Sequence, residues 1–172
     1  MKSRILVIAT ALVIATASLA SACPSEGLVM GAGKAFTSAS KSGSASAFLS
    51  AASRYADTRN IAMSALGPHR KKLSKAQEAE YIRLAQGFMG SFMAKYSSRF
   101  NATGMKVTTC KGNLVTVTAD GGRKIIFRVG AGRVQDVNVS SVWLAGQMRS
   151  TFVGVLNRNN GDISALLKYL RG

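Results

Sequence analysis

The stretch Arg123-Lys124-Ile125-Ile126-Phe127-Arg128-Val129, Gly130-Ala131-Gly132, Arg133-Val134-Gln135-Asp136-Val137-Asn138-Val139 decides the fold. Two runs of β-formers with period-two patterning flank a glycine-rich turn, which is the pattern of a β-hairpin. Ile125, Phe127 and Val129 share a face of their strand. Val134 is out of phase with Val137 and Val139, so a bulge is expected near Gln135 or Asp136. Working backwards, the same period marks strands at Met105 to Thr109 and Leu114 to Ala119, where Val115 and Val117 share another face. Lys111-Gly112-Asn113 and Asp120-Gly121-Gly122 supply the tight turns between strands. Working forwards, the period changes to helical from about Val142, in a segment carrying Met148, Arg149, Ser150 and Phe152. Asn160-Gly161-Asp162 then opens a short last helix with Leu166, Leu167 and Leu170, capped by Asp162.

Upstream of the strands, the clearest element is a helix from Lys75 to Phe100. Ser74 with Gln77 forms a capping box, and Glu78 and Glu80 near the start and Lys95 and Arg99 near the end suit the helix dipole. Tyr81, Ala85, Phe88, Phe92 and Tyr96 fall on one line, with Ile82, Met89, Met93 and Phe100 beside it. Gly87 and Gly90 weaken this helix but permit close approach of a backbone or a ligand. A shorter helix runs from Asp57 or Thr58 to Leu66, stopped by Gly67-Pro68. From Glu26 to Ala56 the chain supports two short helices broken near Lys41-Ser42-Gly43, and Ser40 to Ser46 has the composition of a flexible linker. The sum is a single α+β domain, a curved antiparallel sheet of four strands with helices on one face.

Residues 1–22 read as a signal peptide: Lys2 and Arg4, the apolar Ile5 to Ile14, and Ala20-Ser21-Ala22 as cleavage site. Residues 23–172 then form one exported domain. The chain has 23 basic and 7 acidic residues, a formal charge of +16. Losing Lys2 and Arg4 leaves it strongly basic, which favours anionic partners such as lipid head groups, an anionic membrane surface or an acidic docking face. Export argues against nucleic acid. Cys23 and Cys110 are the only cysteines. In an oxidising compartment they make one disulfide, worth about 4 kcal/mol on the loop-entropy model. The competing reading is acylation of Cys23 in a lipoprotein signal, which would leave Cys110 a lone thiol.

No catalytic constellation stands out. His69, the only histidine, lies in the basic run His69-Arg70-Lys71-Lys72 with no acid or nucleophile at a defined spacing. One histidine and two cysteines do not make a zinc site. Gly130-Ala131-Gly132 lacks the remaining glycine and following helix of a nucleotide loop. No enzymatic activity, metal or cofactor is expected.

The segment Val134 to Val139, then Val142-Trp143-Leu144, Met148-Arg149-Ser150, Phe152, Gly161-Asp162-Ile163 and Leu166-Leu167 resembles the MlaC, or toluene-tolerance, family of periplasmic phospholipid carriers. A second patch runs from Thr58 to Tyr96 through Ile61-Ala62, Ala65-Leu66-Gly67, His69, Leu73-Ser74, Gln77, Glu80-Tyr81 and Phe88. The resemblance implies a deep apolar pocket that takes phospholipid tails and leaves the head group at its mouth. It also implies shuttling between an outer-membrane lipoprotein complex and an inner-membrane ABC transporter complex. By analogy the lipid-contacting candidates are Ile61, Leu66, Phe88, Phe92, Tyr96, Val117, Phe127, Val137, Val142, Leu144, Met148 and Phe152. The chain departs from the family pattern at Ser141-Val142-Trp143-Leu144 and at Phe127, where a Trp is usual, and its front half is short. A shorter front half shrinks the expected pocket and leaves a one-chain, hopanoid-like or other apolar lipid open beside phospholipid.

Two other readings compete. A basic exported interaction module would grip anionic membranes or polymers and enclose no ligand. An envelope hydrolase would need Asp57, His69 and a serine to meet in one cleft.

Overall fold

The computed structural model describes residues 23–172; the signal peptide expected in residues 1–22 lies outside them. In chain order the elements are α1 (Glu26–Ser42), α2 (Ala45–Tyr55), α3 (Thr58–Ala65), a 3-10 turn (Gly67–Lys72), α4 (Lys75–Lys95) and a 3-10 turn (Ser97–Arg99). There follow β1 (Met105–Lys111), β2 (Leu114–Ala119), a 3-10 turn (Asp120–Gly122), β3 (Lys124–Gly130), β4 (Arg133–Val139), β5 (Val142–Trp143), α5 (Leu144–Arg158) and α6 (Ile163–Arg171). The sheet is an antiparallel meander of five strands in the order β1-β2-β3-β4-β5. The expected four strands are corrected by one, because Val142 and Trp143 pair with Val139 and Asn138 before the helix starts. The helix placed at Val142 therefore begins at Leu144. The linker expected at Ser40 to Ser46 is also corrected. α1 continues to Ser42, Gly43 caps it in the left-handed region (φ 63°), and the Ser44 side chain already caps α2. Here glycine and a hydroxyl supply two helix ends in a two-residue turn, so low helix propensity gives way to good capping.

Register puts the two valine and isoleucine sets on the same side. Val115 pairs with Phe127 and Val117 with Ile125, and Phe127 pairs onward with Val137. All five are buried, and the helices cover them. The expected bulge is present: Arg128 pairs with Asp136 and Val129 with Val134, which leaves Gln135 as the extra residue. Its side chain bonds the Gly130 carbonyl at 3.0 Å and receives the Asn60 amide at 2.9 Å, so the bulge is held from both sides. The one-residue shift returns Val134 and Val137 to the same face, which resolves the phase conflict in the sequence.

α4 is the central strut. The Ser74–Gln77 capping box forms, and the helix ends at Lys95, a turn short of the expected Phe100. The chain then tightens into the 3-10 turn and buries Phe100 against Phe36 and Phe48, at 5.7 and 5.4 Å between ring centres. Gly90 has a structural use: a Cβ there would lie 2.5 Å from the Ala45 carbonyl oxygen, so only glycine lets α2 sit this close. Gly87 faces open space. Tyr81 is fully buried, and its hydroxyl donates to the Ala62 carbonyl at 2.6 Å, tying α4 to α3.

Asp136 organises the other end of the sheet. α5 has no cap from Trp143, the residue before it. Instead Asp136 Oδ1 accepts the amides of Ala145 (3.0 Å) and Val137 (2.9 Å), with Arg128 at 3.6 Å from Oδ2. Burial raises the pKa of this carboxyl despite the amides and the guanidinium that favour its charge. Arg128 also lies over the Trp143 ring at 4.5 Å.

Cys23 and Cys110 form a disulfide with Cα atoms 5.9 Å apart, tying the chain before α1 to edge strand β1. The bond occupies the sulfur that acylation of Cys23 would need.

The fold yields three expectations measurable by denaturant unfolding. Reducing the disulfide, which closes a loop of 87 residues, lowers stability by about 4 kcal/mol. Tyr81→Phe costs about 1 kcal/mol at neutral pH, because the Ala62 carbonyl loses its partner in the core. Burial pushes the Tyr81 hydroxyl above its usual phenol value. Its contribution is therefore intact below a pH of about 10 and lost as pH rises beyond it, and Tyr81→Phe flattens that alkaline loss. Ser140 and Ser141 turn from β4 into β5 with φ of 52° and 67°. Such a turn favours Asn-Gly, so Ser140→Gly with Ser141→Gly raises stability by about 1 kcal/mol.

Candidate functional site

An apolar recess lies where α4 runs past the end of its packing partners. Phe92, Met93 and Tyr96 from α4, Arg99 and Phe100 from the turn after it, Val137, Val139, Ser140 and Val142 from the β4–β5 hairpin, and Leu144 at the start of α5 enclose a cavity of about 210 Å³. Its depth is apolar, formed by buried Met93, Phe100, Val137 and Leu144. Its rim is Tyr96, Val142, Arg99 and Ser140. Tyr96 and Val142 are large apolar side chains left 41% and 43% exposed, one on each side of the opening. Arg99 Nη1 reaches across to Ser140 Oγ at 3.4 Å.

An aromatic ladder leads from the core to this mouth. Phe152 on α5 meets the edge of Tyr81 at 6.2 Å and of Phe88 at 5.1 Å. Phe88 stacks with Phe92 at 6.5 Å, and Phe92 tilts onto Tyr96 at 4.8 Å. From Phe88 through Phe92 to Tyr96 each step is one helical turn, and the stripe passes from buried Tyr81 to exposed Tyr96 as it nears the cavity. The inner part is ordinary core packing; the outer part, Phe92 and Tyr96, borders the cavity.

Among the residues named from the sequence, the structure brings Phe92, Tyr96, Val137, Val142 and Leu144 together at the cavity. Ile61, Leu66, Val117, Phe127, Met148 and Phe152 lie in the filled core, all at most 2% exposed. Phe88 is half-buried and also borders an open groove beside α6, with Leu49, Tyr169 and Leu170. Met93, Arg99, Phe100, Val139 and Ser140 line the cavity without having been singled out. Val139 carried a usable signal, being in period with Val137, and Met93 and Phe100 were on the second row of the long helix. Ser140 carried none, since Ser-Ser does not announce a left-handed turn.

The polar groups are spent elsewhere. His69 Nε2 is 3.1 Å from Asn157 Oδ1, an amide and not a carboxylate. Asp57 caps α3 by accepting the Asn60 amide, and Asp162 caps α6 through Ser164. Among the described residues, no group of three or more His, Cys, Asp or Glu side chains is placed to hold a metal ion. No described helix is long and apolar enough to cross a membrane. What the site offers is a partly open hydrocarbon-lined recess with a basic and hydroxylated rim.

The fold has a solved relative. A phospholipid-binding protein from Ralstonia solanacearum, in complex with a phospholipid, superposes with a TM-score of 0.62 at 16% identity, over 86% of this chain and 94% of that one. No curated protein sequence matches the chain. The family model described as MlaC protein matches residues 29–172, and with the helices, sheet and recess in place, the chain belongs to the MlaC family.

Proposed function

We propose that this protein is a soluble periplasmic carrier of phospholipid or another apolar lipid, the mobile component of an ABC-type transport system. In this reading it travels between an inner-membrane transporter complex and an outer-membrane lipoprotein complex. The observation that carries the reading is the unfilled apolar recess at the end of α4 in a chain of the MlaC family. A solved protein of the same fold is described as phospholipid-binding and holds a phospholipid, which supports the same ligand class.

The physics asks for little more than the recess. Each methylene moved out of water contributes about 0.8 kcal/mol, so tails bind through wall contact alone and need no catalytic group. Release is feasible because the contacts are non-directional. A volume of about 210 Å³ is below the roughly 300–1,000 Å³ of pockets that enclose drug-sized ligands. Loading a lipid therefore requires the walls to part. The walls that face each other across the recess are the β4–β5 turn and the last turn of α4. The core behind them, from Phe152 to Val117, stays closed.

The test is organic extraction of natively purified protein followed by mass spectrometry. The expected result is near-stoichiometric lipid. Val139→Phe, which puts an aromatic ring into the recess from a strand position that accepts one, is expected to reduce the recovered lipid at least about tenfold while the circular dichroism stays unchanged. Lipid-free wild-type protein that adsorbs to anionic vesicles only at low salt would instead establish the interaction-module reading.

A further inference from the structure

A second recess, of about 290 Å³, adjoins the apolar one; its lining is mixed and includes Ile125, Ile126 and Asn138. The two share Arg99, Val139 and Ser140, so they are neighbouring chambers divided by the Arg99–Ser140 contact. Arg123, Lys124 and Ser141 complete the basic and hydroxyl lining of the second chamber. From this juxtaposition we infer that the basic groups of the second chamber are the seat of the lipid's phosphate: Arg99, Lys124 and Arg123 hold the phosphodiester while the tails occupy the apolar recess. This rests on the carrier reading above and specifies the head-group chemistry it selects.

The charge balance favours an anion. Among the described residues, neither Arg99 nor Lys124 is within ion-pair distance of a carboxylate. Arg123 is held by neutral carbonyls, those of Ser98 at 3.1 Å, Asn101, and Asp120 at 3.4 Å. It is thereby fixed in place without losing its charge. Asp120 is the one acidic side chain in the neighbourhood, and its carboxylate is already engaged by the Thr103 hydroxyl and the Thr103 and Gly104 amides. Three cations thus line one chamber, with a single nearby carboxylate, Asp120, whose charge acts on Arg123 but makes no ion pair with it. Arginine matches phosphate with paired donors, and Arg99 spends only one of its five on the long 3.4 Å bond to Ser140. A phosphate oxygen at the divide replaces that bond with a stronger, charge-assisted one.

The hairpin turn adds an independent sign. Ser140 and Ser141 both adopt left-handed backbone where glycine or asparagine costs less. Keeping two serines in that geometry puts hydroxyl groups at the chamber wall, at a cost in stability. Local strain of this kind collects at ligand sites.

The experiment compares two lipids with identical tails, phosphatidylglycerol and diacylglycerol, loaded into delipidated protein from mixed micelles. Wild type is expected to bind the phosphate-bearing lipid at least about tenfold more tightly. Arg99→Gln with Lys124→Gln should bind the two lipids equally, while Lys168→Gln, the same kind of charge change on α6, should keep the preference. Lys124→Gln alone removes an exposed, unpaired side chain, and a reduced preference there supports the site even if Arg99→Gln disturbs the fold. Equal binding of both lipids by wild type overturns this inference and leaves the carrier intact. Binding of neither lipid overturns both. Millimolar inorganic phosphate should leave the preference in place, because the tails hold the head group at the site. Loss of the preference would assign the chamber to free phosphate and overturn the lipid assignment.

Discussion

Hydrophobic burial along α4 is the constraint on which the rest of this structure depends, and it is left unfinished at one end. The helix spans Lys75–Lys95, about 30 Å at 1.5 Å per residue. Through Met89 and Met93 its apolar face is covered by its neighbours and the sheet. On the neighbouring line of the same apolar arc, half-buried Phe92 and exposed Tyr96 border the cavity. The chain then folds back through Phe100, and β4 returns at Val137 and Val139, so the two meet as walls of the recess. A recess follows from helix length and sheet width together.

Much of the architecture was legible because it is local. The capping box at Ser74, the glycine turns and the period-two strands each report on a few consecutive residues, and each agrees with its neighbours. The bulge at Gln135 could be read from a phase error between Val134 and Val137. β5 escaped notice because a two-residue strand has no period, and the left-handed Ser140-Ser141 turn that creates it lacks the usual Asn-Gly signature. The Ser40 to Ser46 segment misled through composition. Its small residues suggested a linker, whereas Gly43 and Ser44 act as two adjacent caps.

The candidate site was only half legible, and the reason is physical. Periodicity shows which residues face inward, not whether anything fills the space opposite them. Phe152, Phe127 and Phe92 carry the same apolar signal, yet two lie in the closed core and one borders a void. Family resemblance identified a pocket-forming chain but could not apportion its walls. The basic rim was the least visible part. Arg99, Arg123 and Lys124 come from different elements, and in a chain with 23 basic residues no local pattern separates them from solvent-facing charge. Only the fold brings the start of β3 beside the end of α4, where the three line the second chamber.

The central claim is that acyl chains sit between the last turn of α4 and the β4–β5 hairpin. Isotope-filtered NOE spectroscopy on labelled protein loaded with unlabelled phospholipid tests it most directly. The account predicts cross-peaks from tail methylenes to the Phe92 and Tyr96 rings and to the methyl groups of Val139 and Leu144. Tail contacts found only in the groove beside Tyr169, with silence at those four side chains, would contradict it.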